Sequence, residues 1–192
     1  DASPEKTREH LERIDRQVAI SDTVITALSR FARLPVPMLR PVALSDLVEQ
    51  AIDANPIPDN VKLRIERPEQ IRYVSGDHDQ LVIVLGNLIR NACEAMTDGG
   101  DLTISYQEIA PEAKGNAGRF ALSVTDTGCG IELDVLSRIM EPLFSTKTRG
   151  LGLGLALAQA ILKRHDAGLS VTSQPGEGTT ITMTLNIAEE SV

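Results

Sequence analysis

Tryptophan is absent from this 192-residue chain, and aromatic side chains are scarce, with three Phe and two Tyr. A stacking platform for single-stranded nucleic acid is therefore excluded. Only two cysteines occur, Cys93 and Cys129. They are too few for a disulfide framework and lack metal-ligand spacing, so a reducing, cytoplasmic compartment is expected. Positive charge is short as well. A formal net charge of -8 argues against a surface for nucleic acid or acidic lipid, since both demand clustered Lys and Arg. The longest apolar stretch, Leu151 to Leu162, contains Gly and Gln and falls short of the ~20 residues a membrane span requires. No secretory leader and no membrane contact are expected in this segment. Neither Gly-x4-Gly-Lys-Ser/Thr nor Gly-x-Gly-x-x-Gly occurs, which removes the P-loop and the usual dinucleotide turn.

The hydrophobic pattern divides the chain. Ser3-Pro4 reads as a helix start, with Ser as cap and Pro at the first helical position. Leu11, Ile14, Val18, Ser21, Ile25, Leu28 and Ala32 then alternate at heptad spacing, and such a seam needs a partner helix. Val24 and Phe31 widen it into the stripe of a bundle helix. Leu34-Pro35-Val36-Pro37, with Pro41 close behind, ends the helix. This predicts one element over residues 1–36 and a second domain over 37–192. In the second domain we expect a short helix capped by Ser45, strands over Lys62 to Glu66 and Ile71 to Val74, and a helix from a capping box at Asp77 and Gln80 to about Met96. Strands over Leu102 to Ile109 and Phe120 to Thr125 should flank the Pro111–Gly118 loop. A helix should run from Glu132 to just before Pro142 and another from about Gly152 to Arg164. A hairpin of Leu169 to Ser173 and Thr179 to Ile187 should close the domain. Helices and strands segregate, which predicts an α/β, or α+β, two-layer sandwich with helices on one face of a mixed sheet.

Three groups of residues point to chemistry. On the 77–96 helix, Asn87, Asn91 and Glu94 fall within one arc, opposite a core stripe of Leu81, Leu85, Leu88 and Ala92. Such an arc is ordinarily a solvated face, but Asn is a poor helix former, and carboxamide oxygens suit Mg²⁺ shared with substrate phosphates. Asp126-Thr127-Gly128-Cys129-Gly130 follows a strand. It reads as a plain exit turn or, if Asp126 is sunk below the surface, as an acceptor for an exocyclic amine, which adenine offers and guanine does not. Gly150, Gly152 and Gly154, interleaved with Leu151, Leu153 and Leu155, precede a helix start where free N–H groups favour anions. Lys147 is either an exposed loop lysine or a point charge for a terminal phosphate. Gly176, Gly178, Thr179 and Thr180 read as a hairpin turn. His10, His78 and His165 read as surface or half-buried histidines, and Cys129 lacks a nearby cation to activate its thiol.

In order, Asn87-Leu-Ile-Arg-Asn91-Ala-Cys-Glu94-Ala, Asp126-Thr-Gly-Cys-Gly130-Ile, Glu141-Pro-Leu-Phe144-Ser-Thr-Lys147, Gly150-Leu-Gly-Leu-Gly154-Leu and Gly176-Glu-Gly-Thr-Thr180 resemble the N, G1, F, G2 and GTT boxes of two-component sensor histidine kinases. The Asn-Ala-x-Glu-Ala form and the short Lys147–Gly150 interval look most like the nitrogen-regulation and oxygen-sensing subfamily with its short ATP lid. The resemblance spans Pro41 to about Ile187. It implies a Bergerat-type ATP-binding sandwich that uses ATP and Mg²⁺. It implies that Asn91 ligates Mg²⁺, that Asn87 lies beside the triphosphate and that Asp126 takes the adenine amine. Gly128, Gly130, Gly150, Gly152 and Gly154 would line the pocket and lid, with Thr180 closing the floor. Arg90, Glu94, Ile131, Phe144, Lys147, Leu151, Leu153 and Leu155 would complete the ATP contacts, and Asn87, Asn91 and Lys147 the catalytic set. Gyrase-type ATPases place a glutamate base where the kinases have the equivalent of Asn87, which fits transfer to a protein side chain over hydrolysis.

The same resemblance makes residues 1–36 similar to the second helix of a dimerisation hairpin, without its phosphoacceptor box. His10 sits in Arg8-Glu9-His10-Leu11-Glu12, which lacks the acidic and Asn-Pro context of a phosphoacceptor. The expected partners are a phosphoacceptor helix upstream or on another protomer, a response-regulator receiver domain and a second copy of the chain. Two other functions fit the residues: a non-catalytic nucleotide-binding module that regulates a partner kinase, and another member of the superfamily such as a Ser/Thr-directed anti-sigma kinase.

Overall fold

The computed structural model describes residues 6, 8–15, 17, 18, 25, 29, 34–68, 70–110, 118–147 and 151–188. Chain contacts divide it into two units, Asp1–Pro35 and Val36–Val192. In the first unit residues 8–15 are helical, and Leu11, Ile14, Val18 and Ile25 are all more than half exposed. The Ser3-Pro4 start and Ser21, Val24, Leu28, Phe31 and Ala32 of the seam lie outside the described residues, as does most of the Pro111–Gly118 loop.

The second unit runs β1 (Arg40–Ala43), α1 (Leu44–Ala54), β2 (Val61–Glu66), β3 (Tyr73–Gly76), α2 (His78–Ala95), β4 (Gly100–Ile109), β5 (Arg119–Asp126), α3 (Leu133–Leu136), α4 (Gly154–Arg164), β6 (Gly168–Gln174) and β7 (Gly178–Asn186). Five strands form a sheet in the order β2-β4-β5-β7-β6. The β2–β4 pair is parallel and the rest are antiparallel. Helix α2 packs between α1 and α4 and against β5 and β7, so the sandwich is two-layered and mixed, as expected.

Period-two alternation sorts the sheet's faces. Leu102, Ile104, Leu122, Val124, Ile181, Met183 and Leu185 are buried, while their neighbours Thr103, Ser123, Thr182 and Thr184 are not. The opposing layer supplies Leu47, Leu81, Leu85, Leu88, Ile89, Ile161 and Leu162, all at most 1% exposed. Each such side chain contributes about 1.5–3 kcal/mol. The core stripe of Leu81, Leu85, Leu88 and Ala92 is in place, but α2 is buried over a wider arc that also takes in Val84, Gly86, Asn87 and Ile89.

Three local expectations need correction. Ser45 does not cap the first helix: α1 begins at Leu44, behind Ala43, and the Ser45 hydroxyl donates to Asp46. The cap is unnecessary because strand β1 runs straight into the helix and the Arg72 carbonyl takes the Leu44 N–H. Strand β1, paired antiparallel with β3 through Val42 and Val74, is absent from the sequence reading because Pro41 resembles a breaker. A two-strand edge tolerates it. The helix expected from Glu132 to Pro142 shrinks to the single turn of α3, which buries none of its residues. Leu133 is 78% exposed, so no packed face extends the helix, and successive turns follow instead.

Candidate active site

The site is assembled along one side of α2. Asp77 caps that helix, its Oδ1 accepting the Gln80 N–H at 3.2 Å; this is one half of the expected capping box, because the Asp77 N–H donates to His165 Nε2 instead. Asn87, one of the arc residues, is not solvated: it is 6% exposed. Its amide donates to the Ile83 carbonyl at 2.9 Å, and its Oδ1 accepts from the Arg90 guanidinium. Gly154, first residue of α4, abuts it, since a Cβ there would fall 3.2 Å from Asn87 Oδ1. The start of an eleven-residue helix without a side-chain cap therefore presents its free N–H groups beside Asn87. Asn91, one turn on, is half-buried. Among the described residues none donates a hydrogen bond to its carboxamide oxygen, a hard donor atom of the kind that fits Mg²⁺. Glu94, a further turn on and exposed, is bonded to Lys147 Nζ.

At the sheet end, Asp126 is 4% exposed. Burial pushes its carboxyl pKa up, against the pull of the Gly128 and Thr179 backbone N–H donors and of the Lys147 charge. The Gly128 N–H reaches its Oδ1 at 2.9 Å. A carboxylate held this way keeps lone pairs for an incoming amine. Cys93 lies in the same electrostatic field: burial first, then Asp126 and Glu94, push its thiol up. Cys129 is exposed, its thiol pointing at the Gly130 carbonyl 3.5 Å away.

The turn after Asp126 is pinned on two sides. The Cys129 N–H donates to the Ala95 carbonyl at 3.2 Å, and the Cys129 carbonyl accepts from the Gly176 N–H at 2.8 Å. The Ile131 N–H donates to Ser173 Oγ at 2.9 Å. A Cβ on Gly130 (φ +69) would fall 2.1 Å from the Gln174 carbonyl, and one on Gly178 (φ +114) 2.0 Å from the Asp126 carbonyl. The β6–β7 turn is therefore half of the floor rather than a plain hairpin.

Thr180, expected to close the floor, lies elsewhere than beside Asp126. It pairs with Thr125, their hydroxyls 3.0 Å apart, on the face of the sheet away from the helices. The threonine beside the buried carboxylate is Thr179, in register with Asp126 and 6% exposed. It shares its face with Ile181, Met183 and Leu185, an alternation legible in the sequence. Ser173, whose hydroxyl lies 2.9 Å from that of Thr179, is the other residue the sequence reading missed.

The opposite wall comes from residues 141–147 and 151–153. Gly152 (φ +64) lies against the Phe144 backbone, where a Cβ would fall 2.1 Å from the carbonyl oxygen, and its own carbonyl accepts the Leu143 N–H at 3.1 Å. The Arg138 guanidinium lies 4.2 Å over the Phe144 ring. Leu153 is buried, Leu151 and Leu155 half-buried, and Gly150 lies outside the described residues. His165, read as a surface or half-buried residue, is 2% exposed: the α4 C-terminus folds it under α2.

The profile described as "Histidine kinase-, DNA gyrase B-, and HSP90-like ATPase" matches residues 76–189, and the chain belongs to that family. It is 31% identical over 183 residues to the signal transduction histidine-protein kinase AtoS of Escherichia coli, covering 94% of this chain and 29% of AtoS. It is 30% identical over 188 residues to sporulation kinase C of Bacillus subtilis, covering 96% of this chain and 42% of that kinase. The chain thus spans less than half the length of these relatives. Among solved structures, a mycobacterial sensor histidine kinase, MprB, superposes with a TM-score of 0.67 at 24% identity, covering 78% of this chain and 98% of that one. Full-length ShkA in complex with AMPPNP superposes with a TM-score of 0.73 at 22% identity, covering 100% of this chain and 41% of ShkA. The fold is that of histidine kinase catalytic domains. Among the described residues no helix is long and apolar enough to cross a membrane.

Proposed function

We propose that this chain is the catalytic ATP-binding part of a sensor histidine kinase and transfers the ATP γ-phosphate to a histidine outside residues 1–192. The supporting observation is the pairing of a buried Asp126 at the base end with Asn87, not a carboxylate, beside the α4 start. Asp126 accepts adenine N6 and repels guanine O6. The N–H groups at Gly154 receive phosphate oxygens, Asn91 offers its carboxamide oxygen to Mg²⁺, and Lys147 meets the terminal phosphate. Bound Mg²⁺ would neutralise phosphate charge during transfer. With Asn87 in place of a general base, water is not activated, and the phosphoryl group goes to an imidazole presented to the site.

In this reading residues 1–36 are the second helix of a dimerisation hairpin. Its exposed Leu11, Ile14, Val18 and Ile25 meet the upstream helix and a second protomer, and light scattering should report a dimer or larger species. A response-regulator receiver domain takes the phosphoryl group onward, in the cytoplasm. The test is labelling from γ-labelled ATP. The chain alone should acquire no acid-labile, base-stable label, and a fragment supplying the upstream phosphoacceptor helix should restore it, except with Asn91→Leu. Nucleotide binding without label transfer to any such fragment would instead favour a non-catalytic module.

A further inference from the structure

His165 is buried, titratable and outside the nucleotide contacts, yet both its ring nitrogens are engaged. Nε2 accepts the Asp77 backbone N–H at 3.0 Å, so the neutral ring carries its proton on Nδ1. That nitrogen donates to the Ile161 carbonyl at 2.9 Å. The Asp77–His165 bond joins the last turn of α4 to the cap of α2. The two helices meet again at their other ends, where Gly154 abuts Asn87. From Asp77 to Asn87 is ten residues and from Gly154 to His165 eleven, so at 1.5 Å per residue the two spans are about 15 and 16 Å. The helices run antiparallel with two matched pins, one buried at the far end and one at the site.

Apolar packing between α2 and α4 tolerates sliding, because Ala156, Ala158, Ile161 and Leu162 present no directional group. A hydrogen bond to a backbone N–H does not tolerate it. We propose that His165 is a positioning residue: by fixing the register of α4 on α2, it sets the free N–H groups at Gly154 against Asn87, where the phosphates bind. Asp77 is itself anchored, its carboxylate accepting the Gln80 and Met38 N–H groups, so the reference point does not drift. The proposal rests on the reading that the α4 start receives phosphate.

His165 touches no nucleotide, so a specific signature follows. His165→Leu fills the same buried space but leaves the Asp77 N–H without its acceptor. It should weaken the phosphate-dependent part of binding and spare the base-dependent part, which belongs to Asp126 and the pinned turn. Calorimetry on the full chain with Mg²⁺ would compare ATP with AMP. The expected result is an ATP-to-AMP affinity ratio about five- to ten-fold lower in His165→Leu, with AMP affinity unchanged. His165→Gln, which offers an oxygen near the Nε2 position, should recover the ratio.

Equal losses for ATP and AMP would mean a general structural role and overturn the proposal. So would an unchanged ratio in a folded His165→Leu chain, or a failure of His165→Gln to rescue when both variants melt alike. Should His165→Leu not fold, the Gln variant decides alone, because a wild-type ratio is expected of its replacement acceptor and a lowered ratio refutes the idea. A wild-type chain that binds AMP as tightly as ATP would remove the phosphate reading itself, a failure distinct from these.

Discussion

The base end and the lid end of the site are built from the same materials, glycine turns after secondary structure, and are held in different ways. Around Asp126 the turn is fixed by backbone on both sides, with Ala95 of α2 on one and Gln174, Gly176 and Gly178 of the β6–β7 turn on the other. Around Lys147 the ties among the described residues are more polar, and include a Leu143–Gly152 backbone bond, a guanidinium over Phe144 and an exposed ion pair. A base is recognised by shape and by fixed acceptors, whereas phosphates arrive with charge and leave altered. A rigid floor beside a wall joined by exchangeable contacts suits that division.

If the contrast is sound, the largest effect belongs to Gly178→Ala. Its Cβ would fall 2.0 Å from the Asp126 carbonyl at a φ of +114°, and neither backbone can retreat without opening the β5–β7 ladder. A loss of about 4 kcal/mol or more is expected, measured by denaturant unfolding. Gly176→Ala, two residues away with φ +78° and nothing within 4 Å, should cost only about 1–2 kcal/mol. Equal losses at the two positions would erase the claim that the turn is pinned.

Asp126→Asn comes next. Losing the buried acceptor for an exocyclic amine should cost about 1–3 kcal/mol of ATP affinity, roughly 5- to 150-fold. Its effect on the nucleotide-free chain should depend on pH. The folded-state pKa of Asp126 is raised, chiefly by burial, so the folded chain holds this proton more tightly than the unfolded chain does. Stability from this group is full below the ordinary carboxylate value and is lost as pH rises through the raised one. The Asn variant should therefore gain on the wild type as pH rises from about 3.8 towards neutrality. A stability difference flat across that range would contradict the buried carboxylate.

How legible was this division in advance? The core and the antiparallel pairs of the sheet followed from alternation and from the α2 stripe, because burial is written into residue type at fixed periods, whereas the strand order did not. The candidate positions Asn87, Asn91, Asp126 and the glycines were visible as motifs. What failed depended on contacts between distant segments. Asn87 looked solvated because the helix that covers it starts 67 residues later, at Gly154. Thr180 was preferred over Thr179 although β7 alternation favours the latter, because the motif was read by order and not by face. His165 looked bland because its partner is a backbone N–H 88 residues away, which no local pattern encodes. Ser173 was missed for the same reason, and β1 because Pro41 resembles a breaker.

At the lid, Gly152→Ala should lie in the middle of the range. Its Cβ would meet the Phe144 carbonyl at 2.1 Å with φ +64°, but the turn it belongs to packs few buried side chains and can shift. We expect a local cost of about 1–2 kcal/mol that appears in nucleotide affinity while the unfolding midpoint stays near wild type. A fall in global stability matching that of Gly178→Ala would place the lid in the same cooperative unit as the floor and break the contrast.

The smallest effect should come from Glu94→Gln. The Glu94–Lys147 pair joins the end of α2 to the lid wall, with both side chains between two-fifths and one-half exposed, so solvent screens it and its worth lies at about 0.2–1 kcal/mol. Removing the carboxylate frees Lys147 for the terminal phosphate and takes a negative charge from the phosphate path. ATP should therefore bind up to about five-fold tighter at low salt, and the gain should fade as ionic strength rises and the Debye length shrinks to about 8 Å at physiological salt. Unfolding of the nucleotide-free chain should scarcely change. A weaker ATP complex in Glu94→Gln, persisting at high salt, would mean that Glu94 touches the bound nucleotide or its metal directly. The pair would then belong to the recognition surface, and the lid would be more firmly built than its contacts indicate.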